Sequence, residues 1–138
     1  MWSVTSWSEL RRDGLAADEH NFLHPDEEPR TAYLTEKLRD AEGPVVAVSD
    51  WMHAVQDQIR QWVPQRYLTL GADGFGFSDT RAAARRFFKI DGPSLAVRAL
   101  QGLADEGKVD RSVIAQAIEK YRLHDVNAGT SGNAGGEA

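Results

Sequence analysis

Three groups of residues in this 138-residue chain have types and spacings that could do chemistry. The first is the loop GADGFGFSD, Gly71 to Asp79, whose glycines let the backbone take positive φ and approach a neighbour closely. A loop of this kind at the carboxyl end of a strand is a common place to hold a phosphate or another small anion. Gly71, Gly74 and Gly76 give G-x-x-G-x-G, however, which is neither the dinucleotide fingerprint nor a phosphate loop, and no lysine stands where a phosphate loop would place one. The plainer reading is a tight strand-to-helix turn in which Asp73 or Ser78 bonds backbone amides and Asp79 caps the following helix.

The second group is Arg81, Arg85 and Lys89, which recur at every fourth position and would stack on one helix face with Arg86 beside them. Such a stripe could dock an acidic surface or a carboxylate, although charged helix faces are more often simply solvated. The third is the histidines. His20 and His24 have the i,i+4 spacing of two metal ligands on a helix, but no third ligand is evident nearby and Pro25 ends any helix there, so no metal is expected. His53 is placed with Asp57 on the polar side of a helix and His124 at the end of the last one, both as surface residues. A Ser-His-Asp hydrolase is unsupported, because G-x-S-x-G appears nowhere.

Composition narrows the classes further. Sixteen basic against twenty-one acidic side chains leave a net charge of -5, which repels a polyanion, so nucleic acid is not an expected partner. Without cysteine there is no disulfide framework, thiolate zinc site or cysteine nucleophile, which suits a reducing compartment, and the cytoplasm is the default expectation. The longest apolar runs, such as Val45 to Val48, are far short of a membrane span, and no targeting signal follows Met1. The length fits one domain.

The elements that must position these residues alternate in type. Trp2 to Trp7 (WSVTSW) reads as a short strand, and Ser6 with Glu9 forms the S-x-x-E start of a helix in which Gly14 is a weak point. Tyr33, Leu34 and Leu38 make one face of a second helix that stops near Gly43-Pro44. VVAVS, from Val45, lacks alternation and suits a strand covered on both faces. Behind the ready caps Ser49 and Asp50, Trp51, Val55, Ile59 and Trp62 predict a helix closed by Pro64, and Tyr67 to Leu70 predict the next strand. Three helices finish the chain: one starting at Ser78 or Asp79 and running to Phe88, one capped by Ser94 beyond Gly92-Pro93 and ending near Gly107, and one capped by Asp110. Residues 127–138 have almost nothing to bury and are expected to form a disordered tail behind a domain of residues 1–126.

In order, the segments WSVTSWSELRRDG, the pairs His24-Pro25 and Pro29-Arg30, VVAVSDWM, and YLTLGADGFGFSDTRAAARRFF resemble successive landmarks of the homodimeric type of pyruvate dehydrogenase decarboxylase, from Trp2 to about Val126. The D-G-F-G-x-S-D-T-R turn after a strand and S-D-W-M before an amphipathic helix carry the resemblance, and transketolase C-terminal domains share a looser version of the turn. The resemblance implies a three-layer α/β fold of the transketolase C-terminal type, a mostly parallel sheet flanked by helices. It implies a parent enzyme that decarboxylates pyruvate on thiamine diphosphate with magnesium and passes the acetyl group to the lipoyl group of an acyltransferase core. It also implies, as partners, upstream cofactor-binding domains and a homodimer.

The family's cofactor motif, G-D-G followed later by N-N, is absent, and its catalytic histidines belong to preceding domains, so no catalytic or cofactor-binding residue is carried over. What matches residue by residue is the turn: Gly71, Asp73, Gly74, Phe75, Gly76, Ser78, Asp79 and Arg81, with Phe77 standing where relatives often have arginine. The family domain begins further upstream, with a linker strand and an L-G-S-G-type strand and helix that are not recognisable here. In the family fold that strand lies between those at Trp2 and Val45, so two unpaired ladders are expected. The expected function is a non-catalytic module of the pyruvate-decarboxylating enzyme. The alternatives are a stand-alone module with a small-anion or nucleotide crevice at Gly71 to Asp79, or an inactive remnant.

Overall fold

The computed structural model describes residues 1–76 and 78–129; Phe77 and residues 130–138 lie outside the described set. In chain order the elements are α1 (Trp7–Leu23), α2 (Tyr33–Leu38), β1 (Val45–Val48), α3 (His53–Asp57), a 3-10 turn (Arg60–Trp62), β2 (Tyr67–Leu70), α4 (Arg81–Phe87), α5 (Gly92–Asp105), α6 (Arg111–Lys120) and a final 3-10 turn (Val126–Gly129). β1 and β2 pair in parallel, with Val45 opposite Tyr67 and Val48 opposite Leu70. The class is α/β, as the alternation of elements predicts.

Every residue of β2 is buried, as expected for a parallel strand covered on both faces. On one face Ala47 and Tyr67 join Ala17, Ala32, Leu38, Ile59, Trp62 and Val63 in a single cluster under α1, α2 and the first 3-10 turn. α5 packs against both strands. Its Gly102 lies so close to the Pro44 and Leu68 side chains that a β-carbon there would stand 2.6 Å from Pro44 Cβ. Helix α1 runs straight through Gly14 for a comparable reason. A β-carbon at that position would stand 2.4 Å from the Trp62 ring, whose Nε1 donates to Asp18 Oδ2 at 3.1 Å. The weak helix former is retained because helix and indole must touch there.

The strand expected at Trp2 to Trp7 does not form. Trp7 opens α1, Ser6 caps it by accepting from the Glu9 N–H at 3.2 Å, and Trp2 is 65% exposed. A strand exists only through its ladder, and among the described residues β1 pairs with β2 alone. The capping box is also half made, since the Glu9 carboxylate goes to Arg12 at 2.6 Å. The helix expected from Trp51 to Trp62 is likewise corrected: it breaks into α3 and a 3-10 turn, with Trp51 outside and 68% exposed. Its cap residue, Met52, has no side-chain acceptor to offer, while Ile59 and Trp62 turn inward to the core.

Two further caps differ from expectation. Thr80, not Ser78 or Asp79, caps α4, its hydroxyl accepting from the Ala83 N–H at 3.2 Å. Asp91, not Ser94, caps α5 by accepting from the Ser94 N–H at 3.0 Å, so Gly92 and Pro93 lie inside the first turn, where proline's missing N–H costs nothing. Asp110 caps α6 as the sequence indicates. Of the expected tail, residues 127–129 belong to the final 3-10 turn, which packs on α4, and residues 130–138 lie outside the described residues. Among the described residues no helix is long and apolar enough to cross a membrane.

Candidate functional site at the carboxyl edge of the sheet

Both strands of a parallel pair deliver their following loops to one edge, here residues 49–53 after β1 and 71–80 after β2. The two loops are joined at backbone level. The Ala72 N–H donates to the Trp51 carbonyl at 2.9 Å, and Gly71 lies so near that a β-carbon would stand 2.6 Å from His53 N and 2.7 Å from Trp51 O. Only glycine permits that approach.

Asp73 closes the joint. Its Oδ1 accepts the His53 N–H at 2.9 Å and its Oδ2 stands 2.6 Å from His53 Nδ1. The bond from the His53 backbone, aided by the ring, holds the Asp73 carboxyl below the usual carboxylate value. An ionised carboxylate only accepts, so in this contact Nδ1 is the donor. The sequence reading placed His53 with Asp57. Instead Asp57 Oδ1 receives Arg60 Nη2 at 2.6 Å and Thr69 Oγ1 at 3.0 Å.

The rest of the turn faces outward. Gly74 has φ +98°, Phe75 is fully exposed, and Asp79 accepts from the N–H of its neighbour Thr80 at 2.6 Å. Gly76, Ser78 and Arg81 are also exposed. Trp51 and Met52, at 68% and 53% exposure, and Val48 at the strand end add further exposed apolar side chains to the segments that Asp73 and His53 join.

The basic stripe is only partly a stripe. Arg81 and Arg85 lie on α4, whereas Lys89 lies past its end at φ +59°. Lys89 Nζ donates to the carbonyls of Arg86 at 3.1 Å and Leu123 at 2.9 Å. Arg86, only 3% exposed, donates from Nε to Asp91 at 2.5 Å and from Nη1 to the carbonyls of Tyr121 at 2.9 Å and Arg122 at 3.2 Å. One cation on α4 and one just past its end thus satisfy the carbonyls of residues 121–123, immediately beyond the C-terminus of α6, where positive charge is favoured. The sequence offered one signal for this: Arg86 lies three residues after Ala83, on the buried side of α4.

Elsewhere, the His20 and His24 rings stack at 4.8 Å and share the Glu27 carboxylate, at 3.5 Å and 3.2 Å. Among the described residues no three His, Cys, Asp or Glu converge to hold a metal ion. A groove of about 490 Å³ lies between α1 and the first 3-10 turn, but Arg60 in its wall is occupied by Asp57 and by the Tyr67 carbonyl at 2.9 Å.

With this geometry in view, the comparisons with known proteins are specific. The family described as the transketolase-like TK C-terminal domain matches residues 1–91. The chain is 60% identical over 128 residues to the pyruvate dehydrogenase E1 component of Mycolicibacterium smegmatis and 56% identical to that of Mycobacterium tuberculosis. It is 43% identical over 124 residues to that of Escherichia coli K12. The matches to the two mycobacterial proteins cover 93% of this chain, yet the chain spans only 14% of the length of each relative. A family match over most of the chain, together with such identities, shows that the chain belongs to the transketolase-like C-terminal domain family, in the form found in pyruvate dehydrogenase E1 components.

Proposed function

We propose that this chain serves as the non-catalytic C-terminal domain of a thiamine-diphosphate-dependent enzyme that decarboxylates pyruvate in the cytoplasm. In this role it supports the cofactor-binding domains, the homodimer and the hand-over of the acetyl group to a lipoyl acyltransferase core. The observation that carries this reading is the match of nearly the whole chain to a small part of pyruvate dehydrogenase E1 components. The disposition of the charged groups supports it. Asp73, Arg86, Lys89 and Asp91 are all engaged in joining one element to another.

The residues present do not fit thiamine diphosphate or its magnesium ion. A diphosphate needs cations or converging N–H groups, and a hard divalent ion needs converging oxygens. At the glycine loop Asp73 is turned onto His53, Asp79 is spent on Thr80, and Phe75 projects outward. The same features weigh against an anion or nucleotide crevice there. Two measurements test the reading. Replacing the matching segment of the M. smegmatis relative by this chain should give a polypeptide that retains pyruvate decarboxylation and acetyl transfer. Calorimetric titration of the chain alone with the cofactor and magnesium should show no saturable heat. An inactive chimera, or saturable binding by the chain alone in the micromolar range, overturns it.

A further inference from the structure

We infer that the apolar carboxyl edge of the sheet, formed by Val48, Trp51, Met52 and Phe75, is the surface on which this domain docks against the remainder of a longer polypeptide of the pyruvate dehydrogenase E1 type. This rests on the function proposed above and names the surface through which it is exercised. Large apolar side chains exposed singly are ordinary, but three within two joined loops, with a fourth at the end of the strand that feeds one of them, are not. Phe75 is fully exposed, Trp51 68%, Met52 53% and Val48 36%.

The loops that carry them are fixed in advance. Gly71 abuts the backbone of residues 51–53, Ala72 donates to Trp51, and Asp73 binds both the amide and the ring of His53. An aromatic surface held in this way loses little conformational freedom when it is covered, which is what a permanent intramolecular interface requires. The identity of the covering surface follows from length. Relatives that share 56–60% of this sequence are polypeptides of which the chain spans 14%, so in them a domain of this kind always has a far larger neighbour on the same chain.

The test uses the full-length chimera in which this chain replaces the matching segment of the M. smegmatis relative. Hydrogen peroxide converts an accessible methionine to its sulfoxide, so the oxidation rate of Met52 reports whether the edge is covered. The expected result is that Met52 is oxidised about tenfold more slowly in the chimera than in the isolated chain. Trp51→Ser and Phe75→Ser should each restore most of that rate, as expected when a central aromatic contact is removed. Phe22→Ser, at an exposed site on α1, should not. Melting of the isolated variants keeps folding defects apart, since both aromatic side chains lie largely in solvent. An active chimera in which Met52 is oxidised as fast as in the isolated chain, or in which only Phe22→Ser exposes it, overturns this inference and leaves the functional reading standing. An inactive chimera with Met52 protected overturns the functional reading alone.

Discussion

His53 Nδ1 stands 2.6 Å from one carboxylate oxygen of Asp73, and the other oxygen receives the His53 backbone N–H at 2.9 Å, so a single side chain locks both the amide and the ring of a residue in the preceding loop. The bond from the backbone holds the carboxyl below its ordinary value of 3.8. For a group lowered in this way the clamp is complete above the ordinary value and is lost as pH falls through the lower native one. The His53 amide signal, which reports the bond to Asp73, should therefore shift in an acid titration with a carboxylate step whose midpoint lies below 3.8. A midpoint at or above that value would show that Asp73 does not hold the loop. Asp73→Asn should speed hydrogen exchange at the His53 and Ala72 amides while leaving β2 protected.

The two glycines of that turn should respond differently to substitution. Gly74, at φ +98°, has open space around it, so Gly74→Ala costs only the backbone conformation, about 1 kcal/mol. Gly71→Ala would drive a methyl group to within 2.9 Å of three backbone atoms of residues 51–53, which cannot swing away as a side chain would. Overpacking of this kind costs about 1–3 kcal/mol, and here it also opens the joint with Asp73. Thermal unfolding should show a larger loss for Gly71→Ala. Equal losses would mean that the two loops separate without penalty.

Local signals were legible wherever one interaction decides the outcome. Val45 to Val48 and Tyr67 to Leu70 read correctly as strands, although the burial on both faces expected of Val45 to Val48 fails where Val48 is 36% exposed and β2 alone is buried throughout, and Asp110 read correctly as a cap because its acceptor serves the next turn. The failures came where a partner distant in sequence decides. Trp2 to Ser6 has the composition of a strand but no ladder to join among the described residues. His53 looked like a companion of Asp57 on one helix, yet Asp73 claims it from a loop twenty positions away. Arg86 was hidden in a run of basic residues whose spacing suggested a solvated stripe, and only the positions of Asp91 and the end of α6 turn it inward.

Arg85 and Arg86 are adjacent, and their substitution should separate surface from support. Arg86 binds Asp91 and two carbonyls from a buried position. Burial opposes the charged form of Asp91, but hydrogen bonds from Ser94 and Arg86 outweigh it and hold the carboxyl below its usual range. Arg86→Ala removes the cation and strands these acceptors, which should cost about 3–5 kcal/mol. Arg85, partly buried but without a side-chain bond of this kind, should change stability by no more than about 0.5 kcal/mol when replaced by alanine. Melting of the two variants decides, and comparable losses would show that Arg86 is not the staple of α4, α5 and α6.

The free edge of β1 gives the last prediction. Val45 N–H donates to the Arg66 carbonyl and Ser49 N–H to that of Leu70, so the backbone groups of Val46 and Val48, one residue out of phase, point away from β2. Among the described residues no other strand meets them. An apolar edge that carries neither lysine nor proline nor bulge is open to pairing with another strand, and a sheet of only two strands is marginal by itself. The purified chain should therefore associate as its concentration rises. Val48→Lys, at a position already 36% exposed, should suppress that association without lowering the melting temperature of the monomer. Supplying an upstream segment of a relative that carries a strand should have the same effect by filling the edge, and should sharpen the unfolding transition. Light scattering and thermal unfolding across a concentration series measure both effects. A chain that stays monomeric throughout and unfolds in one sharp step would show that the β1 edge is closed by the fold itself.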